Sequence, residues 1–375
     1  MKNAFFRLIF LVTRMLRPKL ASPASNTFLV LQYQMPLGCC VHGTPLYAAI
    51  KEQCKTSQPD PKVIVATRGL GAEVLQHNPD IDHIIVTDDP TPSLAAKWRV
   101  ARQIRTELHS RDLQPSLILQ DASSKAGSNA LLAALLHLAP TRGFANAPEL
   151  YDQHLDYDVN RSLIDNNLRL AGNAPHREPA VYFTSRDLDY ARSLLAGNLV
   201  TVAFVLQGSG GQNTFWHDER FAEVIRHVES LGHSTIFLGT AADAANIDCI
   251  RTLASSQGHS LAGQTTIPQL AAVLALTDLL VTLDTGSMHI GRAVELPMVV
   301  LGPSWQKPLE WLPLNVATAR ILRSSDRTDV PSDYRLDEIS SASVIAAMDD
   351  LLAQFPPSPT VREARAAQRL SRTRM

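Results

Sequence analysis

The stretch from Leu279 to Pro313, LLVTLDTGSMHIGRAVELPMVVLGPSWQKPLEWLP, constrains this chain more than any other. Residues 279–283 read as a buried strand. Asp284-Thr285-Gly286 reads as a tight turn, residues 287–294 as a short helix, and residues 298–301 as a second apolar strand closed by Gly302-Pro303. Strand, turn, helix and strand in that order make a parallel crossover. Its turn lies at the carboxyl end of a strand, where open α/β sheets bind ligands. A helix beginning at Ser287 aims unpaired N–H groups and its positive dipole end at the turn, which suits a phosphate. Gly286 lets backbone approach such a ligand closely. Asp284 suits phosphate poorly and is expected to accept backbone N–H bonds that shape the turn. An ordinary Asx turn with a helix cap is the structural alternative.

At 375 residues the chain has room for two ordinary domains. A hydrophobic fraction of 45% and a charged fraction of 19% are those of a soluble globular protein. The net charge of −1 is unevenly spread. Residues 1–27 carry Lys2, Arg7, Arg14, Arg17 and Lys19 without an acid, and residues 356–375 carry five arginines and one glutamate, which leaves −10 on the remainder. An acidic body argues against a nucleic-acid partner, while basic ends suit an anionic membrane. No run reaches the roughly 18 apolar residues of a spanning helix. Residues 5–16, FFRLIFLVTRML, bring arginines towards one helical face, with large apolar residues around the rest. That pattern predicts an N-terminal helix lying on the inner-membrane surface. A cleaved signal peptide ending near Ala21 to Ser25, or a helix packed on the protein itself, are the alternatives. Cys39, Cys40, Cys54 and Cys249 form neither a CxxC nor a zinc spacing, and fit a reducing cytoplasm.

Around the opening unit the β/α alternation runs twice. The first half predicts strands at residues 28–33, 63–66, 83–86 and 117–119, with helices at 45–55, 95–109, 129–138 and 162–170. Residues 34–43 read as a loop, and Thr44-Pro45 as a cap followed by proline at the first helical position. The second half predicts strands at 200–206 and 235–238 and helices at 219–231, 241–255 and 267–276. Residues 172–186, with Pro175 and Pro179, read as the linker. The fold class is therefore α/β, with two doubly wound domains facing each other. The expected organisation is a basic amphipathic segment over 1–26, Rossmann-like domains over 27–175 and 187–330, a closing helical segment over 331–354, and a loose basic tail over 355–375.

The motifs, in order along the chain, resemble glycosyltransferase family 9, the heptosyltransferases of lipopolysaccharide core. Asp284-Thr-Gly-Ser-Met-His289 resembles the family's Asp-Ser/Thr-Gly-x-x-His turn. Glu295-Leu-Pro297 and Gly302-Pro-Ser304 stand, with mild departures, where the family has Gly-x-Pro and Gly-Pro-Thr. Residues 31–46, Asn78-Pro-Asp-Ile-Asp82, Trp216-His-Asp-Glu-Arg-Phe221 and Leu261-Ala-Gly263 are similar to further family motifs. The resemblance covers about residues 27–320. It implies a GT-B fold, two facing Rossmann-like domains with the active site in the cleft between them. The N-terminal domain would receive the acceptor and the C-terminal domain the nucleotide-sugar donor.

The resemblance further implies inverting transfer with no metal and no cofactor, the donor being a nucleotide-diphosphate sugar such as ADP-heptose. Its diphosphate would meet Asp284, Thr285, Gly286, Ser287, Met288 and His289, together with the loop at Gly208, Ser209 and Gly210. Asp243 falls where the family binds the donor ribose, although a first-turn acid favouring the helix dipole reads equally well. Two positions depart from the pattern. Thr214 replaces a lysine that offsets diphosphate charge, so Arg292, Lys307, Arg68 or Arg142 would have to substitute. Cys39 replaces the aspartate read as general base, and a thiol with a pKa near ~8.5 deprotonates a hydroxyl poorly. His42 or a carboxylate such as Asp121 could serve instead. The expected function is transfer of a heptose-like sugar to a lipopolysaccharide or other surface-glycan acceptor, at the cytoplasmic membrane face. The rival is a non-catalytic nucleotide-sugar-binding or assembly protein. A dinucleotide-dependent dehydrogenase is more distant, because the Gly208 loop lacks the GxGxxG spacing.

Overall fold

The structure, a computed structural model, describes residues 8, 10–12, 15, 26–34, 36–55, 61–123, 127–144, 148–172, 174–195, 197, 199–208, 215–304, 308–324, 326 and 334–371. The chain divides into two compact units between Pro179 and Ala180, inside the predicted linker.

Unit 1 contains β1 (Thr27–Gln32), α1 (Leu37–Lys55), β2 (Lys62–Thr67), α2 (Gly69–Leu75), β3 (His83–Val86), α3 (Leu94–Ser110), β4 (Leu117–Gln120), α4 (Gly127–Leu136), β5 (Thr141–Phe144), β6 (Gln153–Leu155) and α5 (Leu163–Arg169). Its sheet order is β3-β2-β1-β4-β5-β6, with every pair parallel. Helices on both faces bury the strands, which is why β1 and β2 read as near-continuous apolar runs. Leu29, Leu31 and Ile64 sit in one core with Val100 and Ile104 of α3 and Leu132 of α4.

Unit 2 contains α6 (Ser185–Leu194), β7 (Thr201–Val205), α7 (Asp218–Ser230), β8 (Ser234–Leu238), α8 (Ala244–Ala254), β9 (His259–Ser260), α9 (Ile267–Ala275), β10 (Leu279–Leu283), α10 (Gly286–Ala293), β11 (Met298–Leu301), α11 (Pro308–Trp311), β12 (Ala319–Leu322), α12 (Ser341–Gln354) and α13 (Pro359–Arg369). Its order is β12-β11-β10-β7-β8-β9, again all parallel. Counted from the first strand of each unit, both orders are 3-2-1-4-5-6, the doubly wound dinucleotide-fold order. In both, the strand order reverses between the first and fourth strands. Those switch points fall between β1 and β4 and between β7 and β10.

Four predictions need correction. Residues 34–43 were expected as a loop, yet α1 begins at Leu37 and runs through Pro45. A proline at 45 removes the N–H that Val41 O would accept. Thr44 Oγ1 fills that vacancy, donating to Val41 O at 2.8 Å, so the helix continues. Residues 141–144, where no strand was expected, form β5, followed by the short edge strand β6. Their sequences, TRGF and QHL, hold no apolar run to mark a strand. The linker ends earlier than expected, because α6 begins at Ser185 with Thr184 and Asp187 forming a capping box.

The tail expected to be loose over 355–375 forms α13. Arg362, Arg365 and Arg369 recur at helical spacing and turn inward. Arg365 donates to Thr277 O at 2.7 Å, and Arg369 Nε to Ala293 O at 2.8 Å. Arg362 stands 3.3 Å from Asp278. The guanidinium groups thus satisfy backbone carbonyls at the ends of α9 and α10, which helix geometry leaves unpaired. At the other end of the chain, Leu8, Phe10, Leu11, Val12 and Met15 are helical. Phe10 is buried and the other four are exposed. No helix among the described residues is long and apolar enough to cross a membrane.

Candidate functional site

In unit 2 the switch point carries the described predicted donor residues other than Asp243. The chain leaves β7 through Gly208, while Ser209, Gly210 and Thr214 lie outside the described residues. It leaves β10 through Asp284 and Thr285, and α10 starts at once with Gly286. Thr285 is the N-cap in an extended conformation, but its side chain makes no cap bond. Its Oγ1 is buried without a partner, and so is Asp284 Oδ2. The backbone N–H bonds expected to engage Asp284 therefore leave this oxygen untouched. The other oxygen, Oδ1, stands 3.9 Å from His289 Nε2.

Asp284 is 2% exposed, and burial raises its pKa to about 6. Burial, helped by the positive charge of Arg292, lowers that of His289 to about 3. At neutral pH the turn thus holds a carboxylate, a hydroxyl and a neutral imidazole at a helix N-terminus. The indole of Trp311 meets the His289 ring edge-on, 6.5 Å between centroids. Ser287 and Gly286 are half-buried, and Met288 is fully buried. A buried hydroxyl and carboxylate oxygen without partners cost free energy unless a ligand or water engages them.

Asp243 lies beyond the carboxyl end of β8 and takes the structural alternative for one oxygen. Its Oδ2 accepts from Thr240 N at 2.6 Å and Thr240 Oγ1 at 2.8 Å, a capping box. The Leu261-Ala-Gly263 motif makes the neighbouring turn. Gly263 has φ +70°, favoured by glycine, and its N–H donates to Gly239 O at 2.9 Å. The Trp216 motif proves architectural. Trp216 Nε1 donates to Ile339 O at 2.9 Å, and its ring packs edge-on against Phe221.

In unit 1 the switch point brings the start of α1 beside Asp121. Gln32, the last residue of β1, ties α1 to the sheet: Nε2 donates to Cys39 O and Cys40 O, and Oε1 accepts from Tyr47 OH at 2.9 Å. Asp121 follows β4 directly. Ser123 Oγ donates to its Oδ2, and Gln120 Nε2 to its Oδ1 at 3.3 Å. Burial nevertheless lifts its pKa to about 6. Burial, with Asp121 nearby, drives the Cys40 thiol up to about 12 and raises Tyr47 and Tyr151 as well. Such a thiol is no base. His42 and Cys39 are buried in α1. Asn167 of α5 ties the pieces together, accepting from Ala122 N at 2.8 Å and donating to His42 O at 3.2 Å. Sequence reasoning missed Gln32, Ser123 and Asn167. Only the Asp121-x-Ser123 spacing, a local turn pattern, pointed to any of them.

Residues 141–333 of the 375 match the profile of glycosyltransferase family 9 (heptosyltransferase), just over half of the chain. The chain belongs to that family. It is 28% identical over 150 residues to lipopolysaccharide heptosyltransferase 3 of Escherichia coli, covering 36% of this chain and 43% of that protein. The matched part thus spans less than half of that curated relative. Among solved structures, the glycosyl transferase family 9 protein of Veillonella parvula superposes with a TM-score of 0.76 at 21% identity, covering 89% of this chain and 99% of that one. The E. coli ADP-heptose lps heptosyltransferase II superposes at 0.70 with 17% identity, covering 88% and 99%. The fold is accordingly that of the GT-B heptosyltransferases.

For a family 9 member, the cations offered in place of the missing lysine fare differently. Arg68 is paired with Asp89 at 2.6 Å, and Arg142 donates to Leu170 O and Gln153 Oε1. Lys307 lies outside the described residues. Arg292 is buried on α10, close enough to His289 to shift its pKa. The Asn78 to Asp82 motif is structural. Asp82 accepts from Val63 N at 2.7 Å and pairs with Lys51, pinning β2.

Proposed function

We propose that this family 9 protein transfers a heptose-like sugar from a nucleotide-diphosphate sugar, ADP-heptose by analogy with its relatives, to a lipopolysaccharide or other surface-glycan acceptor. The reading is inverting and metal-independent. An acceptor hydroxyl oxygen attacks the anomeric carbon, the bond from that carbon to the diphosphate breaks, and the nucleoside diphosphate leaves. The hydroxyl proton passes to Asp121, whose pKa of about 6 suits a base at neutral pH better than the buried Cys39 or His42. The observation that carries the donor half is the pair of partnerless buried atoms, Asp284 Oδ2 and Thr285 Oγ1, at the N-terminus of α10. The hydroxyl and helix amides suit diphosphate oxygens, and the carboxylate suits a ligand hydroxyl. The acceptor would be lipid-borne, met at the cytoplasmic face by a protein held there in part through its basic N-terminal segment.

Calorimetry with ADP-heptose and ADP, paired with product analysis on core glycolipids, tests this. Saturable donor binding with sugar transfer is expected. Binding without turnover on any acceptor would favour the assembly-protein reading, which the cysteine at position 39 supports. Absence of donor binding would sink both.

A further inference from the structure

Among the described residues of 26–179, the large apolar side chains left exposed are Leu70, Val86, Leu94, Trp98 and Val159. All but Val159 gather at one place in the fold. Leu70 opens α2 just after β2, Val86 ends β3, and Leu94 and Trp98 occupy the first two turns of α3. β3 is the edge strand and β2 its parallel neighbour, so these connections leave the sheet on the same carboxyl edge. The loop between β3 and α3 is pinned there. Arg68 pairs with Asp89 at 2.6 Å, and Lys97 Nζ donates to Pro90 O at 2.9 Å. Trp98 is 54% exposed.

The helix continues this patch with positive charge. Trp98, Arg102 and Arg105 recur at i, i+4 and i+7, so they share a face. The Arg105 guanidinium lies 6.0 Å from the Trp98 ring centroid. Arg99 is exposed beside them, with Asp88 at 3.8 Å. The helix's one carboxylate, Glu107, is engaged by Arg111 and His83. Tryptophan and leucine at one end, with arginines along the exposed face, form a membrane-surface pattern. Against a body that carries −10 outside the chain ends, this face is a local positive island.

We infer that the carboxyl edge of β2 and β3, with the Trp98–Arg102–Arg105 face of α3, docks on a bilayer that carries anionic headgroups. The indole sits at headgroup depth and the guanidinium groups on lipid phosphates, each arginine strengthening binding on the order of fivefold. The docking edge is the edge that holds Asp121 and the start of α1, so docking turns the candidate acceptor site of unit 1 towards the lipid. That consequence rests on the proposed lipid-borne acceptor, whereas the docking itself does not.

Sedimentation of the full chain with vesicles tests it, using phosphatidylcholine alone or mixed with phosphatidylglycerol. Binding is expected on the anionic vesicles only, weakening as salt rises. Arg102→Glu with Arg105→Glu should weaken it at least about 20-fold. Trp98→Ala should weaken it several-fold, by a factor that salt does not change. Arg186→Glu, an exposed site on α6, should leave it unaltered. Trp98, Arg102 and Arg186 are exposed and Arg105 is half-buried, and unchanged melting confirms folding. The inference is overturned if the double variant binds like the parent, or if the parent ignores anionic vesicles, which would leave an acidic protein as the partner of the arginines. Calorimetry with ADP-heptose on the same proteins reads the donor site separately, so failure of the transferase reading is distinguishable from failure of docking.

Discussion

Asp121 and Asp284 occupy the same place in two copies of one topology. Each directly follows the fourth strand of its sheet, at the switch point beside the first strand. Both are buried, and burial lifts both to about 6. They differ in company. Asp121 is held by Ser123 and Gln120, while Asp284 Oδ2 accepts nothing among the described residues. Equal burial with unequal satisfaction separates a carboxylate fixed by its own turn from one whose turn is incomplete without a ligand. The first arrangement suits a positioned base, and the second suits a binding residue.

The largest expected effect tests the first half of that contrast. Asp121→Asn keeps the shape and the Gln120 contact but cannot take a proton. The turnover rate should fall ~10²–10⁴-fold, with donor affinity by calorimetry unchanged. Deprotonation is what activates the base, so the parent's kcat/KM should rise with pH through about 6 and then level. Asp121→Asn near the parent rate, with His42→Ala slowed ~10²–10⁴-fold instead, would move the base to the imidazole.

Asp284→Ala should act in the opposite sense on two readouts. Donor affinity should fall at least about tenfold, because a hydrogen bond to a charged group contributes roughly 1.5–3 kcal/mol. The ligand-free chain should become more stable. A shift from 3.8 to about 6 corresponds to about 3 kcal/mol against the ionised buried form at pH above 6. Thermal melts at pH 7.5 with and without donor would show the crossing. A variant with parental affinity would remove Asp284 from the site.

A pH series of denaturant melts sharpens the same pair. Asp284 has a raised folded pKa, so its contribution is fully present below about 4 and lost as pH rises through about 6. His289 is depressed to about 3, so its contribution is present above about 6.5 and lost as pH falls towards 3. The stability gap between Asp284→Asn and the parent should therefore close on acidification, whereas the gap between His289→Gln and the parent should open. Parallel gaps would mean that the two groups do not titrate as their burial requires.

The donor half was more legible than the acceptor half for a local reason. β10, the turn and α10 are contiguous, so the strand, glycine and helix start declare themselves within fifteen residues. The acceptor half is assembled from β1, α1, β4 and α5, and Asn167 reaches His42 across 125 positions. No spacing reports such a contact. Thr44-Pro45 misled because its cap chemistry occurs inside a helix, with the hydroxyl serving the Val41 carbonyl rather than a helix start. Arg362, Arg365 and Arg369 misled because composition cannot distinguish solvated arginines from arginines that close carbonyls. β5, β6 and β12 went unread because TRGF, QHL and ARIL hold no run of three apolar residues, unlike the equally short HIIV, LILQ and MVVL.

The smallest expected effect compares how each switch point is packed from behind. A Cβ on Gly43 of α1 would lie 2.2 Å from Gln32 Nε2, the amide that holds the Cys39 and Cys40 carbonyls. A Cβ on Gly291 of α10 would meet Leu280 Cδ2 at 2.8 Å and Met298 Cε at 3.3 Å, both ends of flexible apolar side chains. Gly43→Ala must therefore displace a bonded amide, while Gly291→Ala asks only for rotamer adjustment. The first should cost about 1–3 kcal/mol in denaturant melts and the second less. Gly43→Ala should also slow turnover several-fold while sparing donor affinity, because Gln32 links α1 to the strand beside Asp121. Equal costs at the two glycines, or lost donor affinity in Gly43→Ala, would mean that Gln32 does not organise the acceptor side separately from the donor turn.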